Sequence, residues 1–493
     1  MSRGAIEGIS YWNILSEKDV QKLHGSALKI LEKTGVKVDS EDILGMLADK
    51  GCRVDRAAHA VYMHEDFVLD ALSKHPHGFV LRAVCPENDC YFKAGKSMIV
   101  TTAPGRSTVD ITTWKPHMPS KQEFYDYISL INGLDYIDMH TAFPWAGFEG
   151  VPECMQLIEG FAAKLRCGHK ALWEGSMVGN HRYIIQMAKA FGTEVWMNTN
   201  PTSPLTFSAD CLEIMCACCE NDMPFSITSG PLPGVSSPVT IAGTLALNIA
   251  DILAGNAIAQ TLKPGSRTIA GSLILALDMK TGGPQFANAV SFLAEAAFAQ
   301  MWRYYDIPCA VNSIGWSNSK TIDYQAAYET TMAFALQAAA GATVLPFAGG
   351  LTAELTAHPL KAVIDNDVAQ LVRRIIQGFQ INEDTLALDL IDEMGFAPTS
   401  YLAEEHTLEY FRSERSYSSV SDMSNIAQWL DKGRPTILDH AQEKMDRILA
   451  GESRQITAEQ EKAIAAVLDE AREHYRSTGA ISEKEWQIYQ GVM

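Results

Sequence analysis

Eight times between Met98 and Gln377 the sequence repeats one unit: a short apolar run, a loop rich in Gly, Pro, Ser and Asn, then a helix-length amphipathic stretch. The runs are Met98–Thr102, Tyr136–His140, Lys170–Glu174, Glu194–Asn198, Pro224–Thr228, Arg267–Gly271, Pro308–Ser313 and Thr343–Phe347. Their hydrophobicity is continuous rather than alternating, which marks strands covered on both faces. Strand-then-helix repetition requires parallel pairing with crossover helices, and eight such units predict a closed (β/α)8 TIM barrel. A filled barrel leaves chemistry to the loops that follow the strands.

The chain has 493 residues and a barrel uses about 250, so extensions are expected at both ends. Residues 1–95 read as an N-terminal α+β layer packed on the barrel, 96–380 as the barrel and 381–493 as a C-terminal helical extension. Ser16 with Asp19 opens the first helix, and Phe79–Ala83 with Cys90–Ala94 read as a hairpin around the turn at Pro86–Asp89. Ser237 before Pro238 reads as the start of the longest barrel helix. A formal charge of −19 argues against nucleic acid and anionic membrane surfaces. Thr240–Leu262 is the most apolar stretch, but Asn248, Asp251, Asn256 and Gln260 interrupt it, so it reads as a core-facing helix. With no export signal and ten cysteines, among them Cys211, Cys216, Cys218 and Cys219 crowded on one predicted helix, a reduced cytoplasmic protein with packing thiols is expected.

The predicted mouth is aromatic. Phe143, Trp145 and Phe148 follow the second strand, Trp173 closes the third, Trp316 follows the seventh and Phe347 ends the eighth. Several ring faces around one pocket form a cage for a methylated cation. Trp196, mid-strand, is expected to fill the interior, whereas Trp145 and Trp316, beside Gly147 and Gly315, face either ligand or core. His140, Glu174, Asn198, Asn200, Asp278, Asn312, Glu354 and His358 stand at strand ends. His358 precedes Pro359 and either caps a helix or donates to a substrate. Arg106 in APGRS is the candidate partner for a substrate carboxylate, or else bridges surface acids. No nucleophile elbow, P-loop, HExxH or dinucleotide fingerprint occurs, and no dedicated general acid is indicated.

The segments TNPTSPL, SGPLPGVSSPVTIAGTLALNIADILAGNAIAQTLKPGS, DYQAAYE, GATVLPFAGG with HPLKAVIDND, LHGSALKILEKTGVKVDSED and HTLEYFR resemble the trimethylamine methyltransferase (MttB-like) superfamily across nearly the whole chain. The resemblance implies a (β/α)8 barrel that transfers a methyl group from a methylated amine to Co(I) of a corrinoid (cobalamin) carried on a separate protein, with no active-site metal of its own. Founding members carry pyrrolysine, which this chain lacks. It is most similar to non-pyrrolysine demethylases of quaternary amines, foremost glycine betaine, with proline betaine, carnitine or choline as alternatives. The candidate substrate-binding set, read from the strand ends and the loops after them, is Phe143, Trp145, Trp173, Trp316, Phe347, Arg106, His140, Glu174, Asn200, Asn312 and His358. Partners are a small quaternary amine and a cognate corrinoid protein, with homo-oligomerisation an open expectation. The polar tail after Phe379 is the candidate docking surface for that partner. Two other classes stand beside this one: a betaine or corrinoid binding protein without turnover, and a metal-dependent barrel hydrolase or aldolase.

Overall fold

A computed structural model of the chain describes all residues except 1–5, 8–9, 102–104, 106, 142–146, 176–178, 354 and 452–453. Eight parallel strands close on themselves: β1 (Lys96–Thr101), β2 (Met139–His140), β3 (Ala171–Glu174), β4 (Trp196–Thr199), β5 (Phe225–Ser229), β6 (Thr268–Ser272), β7 (Cys309–Val311) and β8 (Val344–Ala348). Pairing of Met139 with Val100 and of Val344 with Met98 joins the two ends of the sheet. The crossover helices are α1 (Lys121–Asn132), α2 (Glu153–Cys167), α3 (His181–Phe191), α4 (Ala209–Asn221), α5 (Ile241–Leu262), α6 (Ala289–Tyr304), α7 (Tyr324–Ala339) and α8 (Pro359–Gln377). The fold is the TIM barrel that the repeat predicts.

Inside the barrel, Val100, Met139, Ala171, Trp173, Trp196, Ile269, Ala310 and Val344 form one cluster with Phe79, Leu81 and Phe92 from the N-terminal hairpin, Gly78–Leu81 paired with Cys90–Lys93. The hairpin therefore supplies side chains to the floor. Phe79 stacks on Phe92 at 5.3 Å, Phe92 meets Trp196 edge-on at 5.9 Å, and Trp196 stacks on Trp173 at 4.6 Å. Each such pair contributes about 0.5–1.5 kcal/mol beyond the area it buries.

Helix α5 is apolar on all sides because it is covered on all sides. The barrel lies beneath it, while Glu17–Lys33, Glu41–Asp49 and Glu65–Ser73 pack over it, so 83% of its most apolar window is buried. It starts after Thr240, whose hydroxyl accepts from the Gly243 amide, rather than at Ser237; Ser237 instead hydrogen-bonds Thr244. Its polar interruptions each hold the chain elsewhere. Asp251 accepts from Ser203, Ser229 and the Leu205 amide, Asn248 donates to the Ser229 carbonyl, Asn256 accepts from Thr268, and Gln260 donates to the Ser266 carbonyl. Burial pushes the thiols of Cys211, Cys216, Cys218 and Cys219 up on α4, as expected of packing groups.

The C-terminal extension has two parts. Ile437–Leu449 lies on α8 and α1, and Ala458–Ser477 on α3 and α2. The last helix, Glu483–Gln490, buries Tyr489, whose hydroxyl donates to Glu159 of α2. This part also braces loops that follow strands: Tyr475 donates to Asn180 at 2.7 Å, and a Cβ on Gly150 would stand 3.0 Å from Val492. Residues 379–436, by contrast, are mostly exposed, with Val420 alone buried. Their short helices, Glu383–Leu386, Leu388–Met394, Glu405–Tyr410 and Ile426–Asp431, bury no residue.

Candidate active site at the barrel mouth

Alternation along each strand decides which predicted residues can line the mouth. Met139 faces the barrel axis, so His140 faces the helices, where its Nε2 meets Asn132 of α1 at 2.9 Å. Burial, with Lys170 and Lys164 nearby, pushes His140 well below the ordinary histidine range and keeps it neutral. Trp173 faces inward, so Glu174 faces outward and pairs with Lys164 of α2, both wholly buried. Burial raises the Glu174 carboxyl and lowers the Lys164 ammonium, against their mutual attraction. Val344 faces inward, which turns Phe347 outward onto Phe334 of α7, ring centres 4.1 Å apart. The structure thus takes His140, Glu174 and Phe347 out of the mouth, because two-sided burial hid their direction.

Trp173 and Asn312 do face inward. Trp173 is the uppermost ring of the interior stack, and its Nε1 donates to Asn198 Oδ1 at 3.0 Å. Ser226 also donates to that oxygen, and Thr228 donates to Ser226 at 3.2 Å. Asn198 and Thr228 are half-buried. Gly271 makes room for this layer, since a Cβ there would lie 2.2 Å from Thr228 Oγ1. Asn312 lies two residues beyond inward-facing Ala310, its amide held by the Ser272 carbonyl at 2.8 Å. Its side-chain Oδ1 is buried and has no hydrogen-bond partner among the described residues. A buried carbonyl oxygen costs about 1–3 kcal/mol if left unpaired, which makes this one a candidate acceptor at the mouth. Asn200 is exposed one step above Asn198.

Trp316 joins Leu275 and Phe286 in a separate cluster, with Leu232, Leu273 and Ala353 against it. These residues come from the loops after β5, β6, β7 and β8, so the cluster ties four loops together on one side of the mouth. Trp316 meets Phe286 edge-on at 5.1 Å, and its Nε1 is buried with no partner among the described residues. Two adjacent non-glycine residues of this wall, Thr352 and Ala353, hold φ of 56° and 49°. Their amides donate to Ser319 and Ser317 carbonyls at 2.9 and 2.8 Å, which fixes a backbone conformation that costs roughly 1–2 kcal/mol per residue.

His358 caps α8: its Nδ1 accepts from the Leu360 amide at 3.1 Å, and burial pushes its pKa down to about 4. It is neutral at pH 7. Phe143, Trp145, Arg106 and Glu354 lie outside the described residues. Asp278 sits in a turn, its carboxyl held low by hydrogen bonds from Lys280 and Thr281.

One residue escaped the sequence reading. Glu295 of α6 is wholly buried and reaches the tops of β6 and β7, where it accepts from Ser313 Oγ at 3.0 Å and the Ile274 amide at 3.3 Å. No cation pairs with it among the described residues, and burial pushes its carboxyl up to about 7. It supports the segment carrying Asn312 from behind. Mid-helix acids are ordinary on solvent faces, so its sequence position gives no warning. Thr228 and Ser226 did carry a signal: in FSITS the hydroxyls alternate with Phe225 and Ile227, marking a polar inner face.

The model of the trimethylamine methyltransferase family matches residues 2–475. The trimethylamine methyltransferase of Desulfitobacterium hafniense is 25% identical over 93% of this chain and 94% of its own. The glycine betaine methyltransferase of Desulfitobacterium hafniense strain Y51 is 27% identical over 85% and 88%. The monomethylamine methyltransferase of Methanosarcina barkeri aligns in structure with a TM-score of 0.45 and 12% identity over 94% of this chain and 96% of that one. Matched from its second residue into its last long helix, the chain belongs to the trimethylamine methyltransferase family.

Proposed function

We propose that this methyltransferase moves a methyl group from a quaternary amine, glycine betaine first, to Co(I) of a corrinoid held by a separate protein. The observation that carries the reading is the inner face of the mouth. There the described side chains that face inward are neutral: Trp173, Asn198, Thr228 and Asn312, the last offering a buried, unpartnered oxygen. A neutral site suits a methyl transfer in which no proton moves. The Co(I) electron pair attacks the methyl carbon, the C–N bond breaks, and its pair stays on nitrogen, giving neutral dimethylglycine nitrogen and methyl–Co(III). The protein has to hold and orient the cation rather than exchange protons with it.

The oxygens of Asn312 and Asn198 provide negative ends of dipoles for the ammonium, and Trp173 the nearest ring. Trp316, Asn200, Phe143, Trp145 and Arg106 complete the proposed set from the loops above, Arg106 being the candidate for the carboxylate. His358 is a poor candidate for that task, since it is neutral and caps α8 through Nδ1. The glycine betaine methyltransferase among its relatives supports the substrate. The corrinoid, too wide for a packed barrel, would meet the methyl at the open mouth.

The test is a panel of glycine betaine, proline betaine, carnitine, choline and trimethylamine, each incubated with the protein and reduced cobalamin. Methylcobalamin is followed by its spectrum and dimethylglycine by mass. Glycine betaine is expected to react fastest. Binding without methylcobalamin for every amine would replace this reading with that of a binding protein.

A further inference from the structure

The wall behind the mouth changes character around the barrel. On the side of α2 and α8, buried carboxyls meet cations: Glu174 with Lys164, Asp365 with Lys361, and Asp138 with Arg373. Under α5, α6 and α7, the buried carboxyls of Asp251, Glu295 and Glu329 have no cation partner among the described residues and are held by neutral groups. Two of these are complete. Asp251 accepts on both oxygens, from Ser203, Ser229 and the Leu205 amide, and so does Glu329, from Ser317, the Asn318 amide and Gln325. Glu295 uses only one oxygen: Oε1 takes Ser313 Oγ at 3.0 Å and the Ile274 amide at 3.3 Å, while Oε2 is buried without a hydrogen-bond partner among the described residues. That idle oxygen gives a proton a place, and burial pushes the group up to about 7.

Its place is as telling as its bonding. Asn312 keeps the inward parity of Ala310, whereas Ser313, the next residue, turns outward to α6 and meets Glu295. The carboxyl therefore lies behind the segment that presents the unpartnered Asn312 oxygen to the mouth. A cation held at that oxygen would stand about 10 Å from Glu295, the depth of one packed layer. Across that distance, at an effective dielectric of about 20, a positive and a negative charge shift each other's equilibrium about tenfold. We propose that Glu295 is the counter-charge of the substrate cation, acting through the wall: its carboxyl loses its proton when the ammonium enters the mouth, so the site prefers a cation to a neutral molecule of the same shape. The proton passes to solvent on binding, and the methyl transfer that follows still moves none. The inference rests on a quaternary ammonium as substrate.

The elements packed against α6 are β6, β7, α5 and α7. Strand β6 brings no titratable side chain, and β7 brings Cys309, whose thiol burial pushes up to about 12, so it stays neutral. Helix α5 brings Asp251 and α7 brings Glu329, both with their oxygens already occupied, while Tyr324 and Tyr328 of α7 are exposed. On α6 itself, Arg303 lies about two turns further along, where it donates to the Ala340 carbonyl, and Tyr304 is exposed. Glu295 is thus the carboxyl placed to answer a charge in the mouth.

The test is calorimetric titration of the full chain with glycine betaine and with 3,3-dimethylbutyrate, in which carbon replaces the nitrogen and the head is neutral. Buffers of different protonation enthalpy count the protons released. A tenfold coupling predicts about 0.4 proton released per betaine at pH 7, and an affinity for betaine that rises about fivefold from pH 6 to pH 8. The neutral analogue should release none and bind alike at both pH values. Glu295→Gln keeps an acceptor for Ser313 and Ile274; it should abolish the proton release and lower the preference for betaine over the analogue about tenfold at pH 8. Betaine bound by wild type without proton release overturns the inference, and that measurement needs no variant to fold. So does an equal loss of affinity for both compounds in Glu295→Gln, the mark of a purely structural role. A wild type that binds no quaternary amine removes the functional reading and this inference with it, whereas the other two outcomes remove the inference alone.

Discussion

The outer and inner faces of the barrel strands treat polar groups in opposite ways. Behind the wall, charge meets charge: Lys164 with Glu174, Lys361 with Asp365, and Arg373 with Asp138, all under the helices. Around the mouth, the described inward-facing groups are uncharged, and Asn312 keeps a buried acceptor unpaired. Buried ion pairs of the first kind are structural, since removing one partner strands the other in low dielectric. Neutral dipoles of the second kind cost less to hold open and can meet a cationic ligand. The difference teaches that His140 and Glu174, ionisable residues at strand ends that attract attention in a sequence, face the wall, whereas the described amides and hydroxyls of Asn198, Thr228 and Asn312 face the mouth.

The largest expected effect is on the wall. Lys164→Met leaves Glu174 buried without its partner and should lower the unfolding free energy by about 3–5 kcal/mol in urea denaturation. Adding Glu174→Leu should recover most of the loss, and turnover per folded molecule should persist. A single variant within about 1 kcal/mol of wild type would erase the contrast between the faces.

Glu295 sits between the two regimes, a buried acid with hydroxyl and amide partners instead of a cation. Its folded pKa of about 7 lies above the ordinary 4.5, so the folded state holds its proton longer than the unfolded state. Stability from this group is full below pH 4.5 and is lost as pH rises through 7, by about 3 kcal/mol in all. Glu295→Gln should remove that slope. Denaturation at pH 5 and pH 8 measures it, and equal slopes in both proteins would mean that Glu295 is solvated or paired.

Asn312→Ala should act the other way from Lys164→Met. Its oxygen has no partner among the described residues to lose, so stability should stay within about 1 kcal/mol, whereas binding of the ammonium, whose nitrogen has no N–H to donate, should weaken by about 1–2 kcal/mol through the lost ion–dipole contact. Calorimetric titration with glycine betaine reads this directly. The smallest effect belongs to His358→Ala, which removes a helix cap worth about 1 kcal/mol. It should leave the preference for glycine betaine over choline intact, and a lost preference would return His358 to the carboxylate site.

The repeat, the eight strands and the core role of α5 were legible in the sequence because they rest on periodicity and on polar residues that interrupt an apolar run. Strand ends moved by a few residues, as with β2, which begins at Met139 rather than Tyr136. The direction of side chains was not legible. In a strand buried on both faces, apolar residues occupy inner and outer positions alike, so MH, LWE and LPF give no parity, and His140, Glu174 and Phe347 fell on the wrong side. Where hydroxyls break the run, as in FSITS, parity reappears. Residues 379–436 were read as polar because their charges are many; only the fold reveals how many of their apolar side chains, Phe396, Leu402 and Met423 among them, stand exposed.

The central claim, methyl transfer at a neutral mouth, is tested most directly by one rate. Glycine betaine and Co(I) cobalamin are mixed with wild type, with Asn312→Ala and with Lys361→Met, the last chosen from the wall, and methylcobalamin and dimethylglycine are counted together. The account predicts one-to-one products from wild type, a fall of about tenfold or more for Asn312→Ala at unchanged stability, and a near-normal rate per folded molecule for the wall variant. Full activity in Asn312→Ala would contradict it.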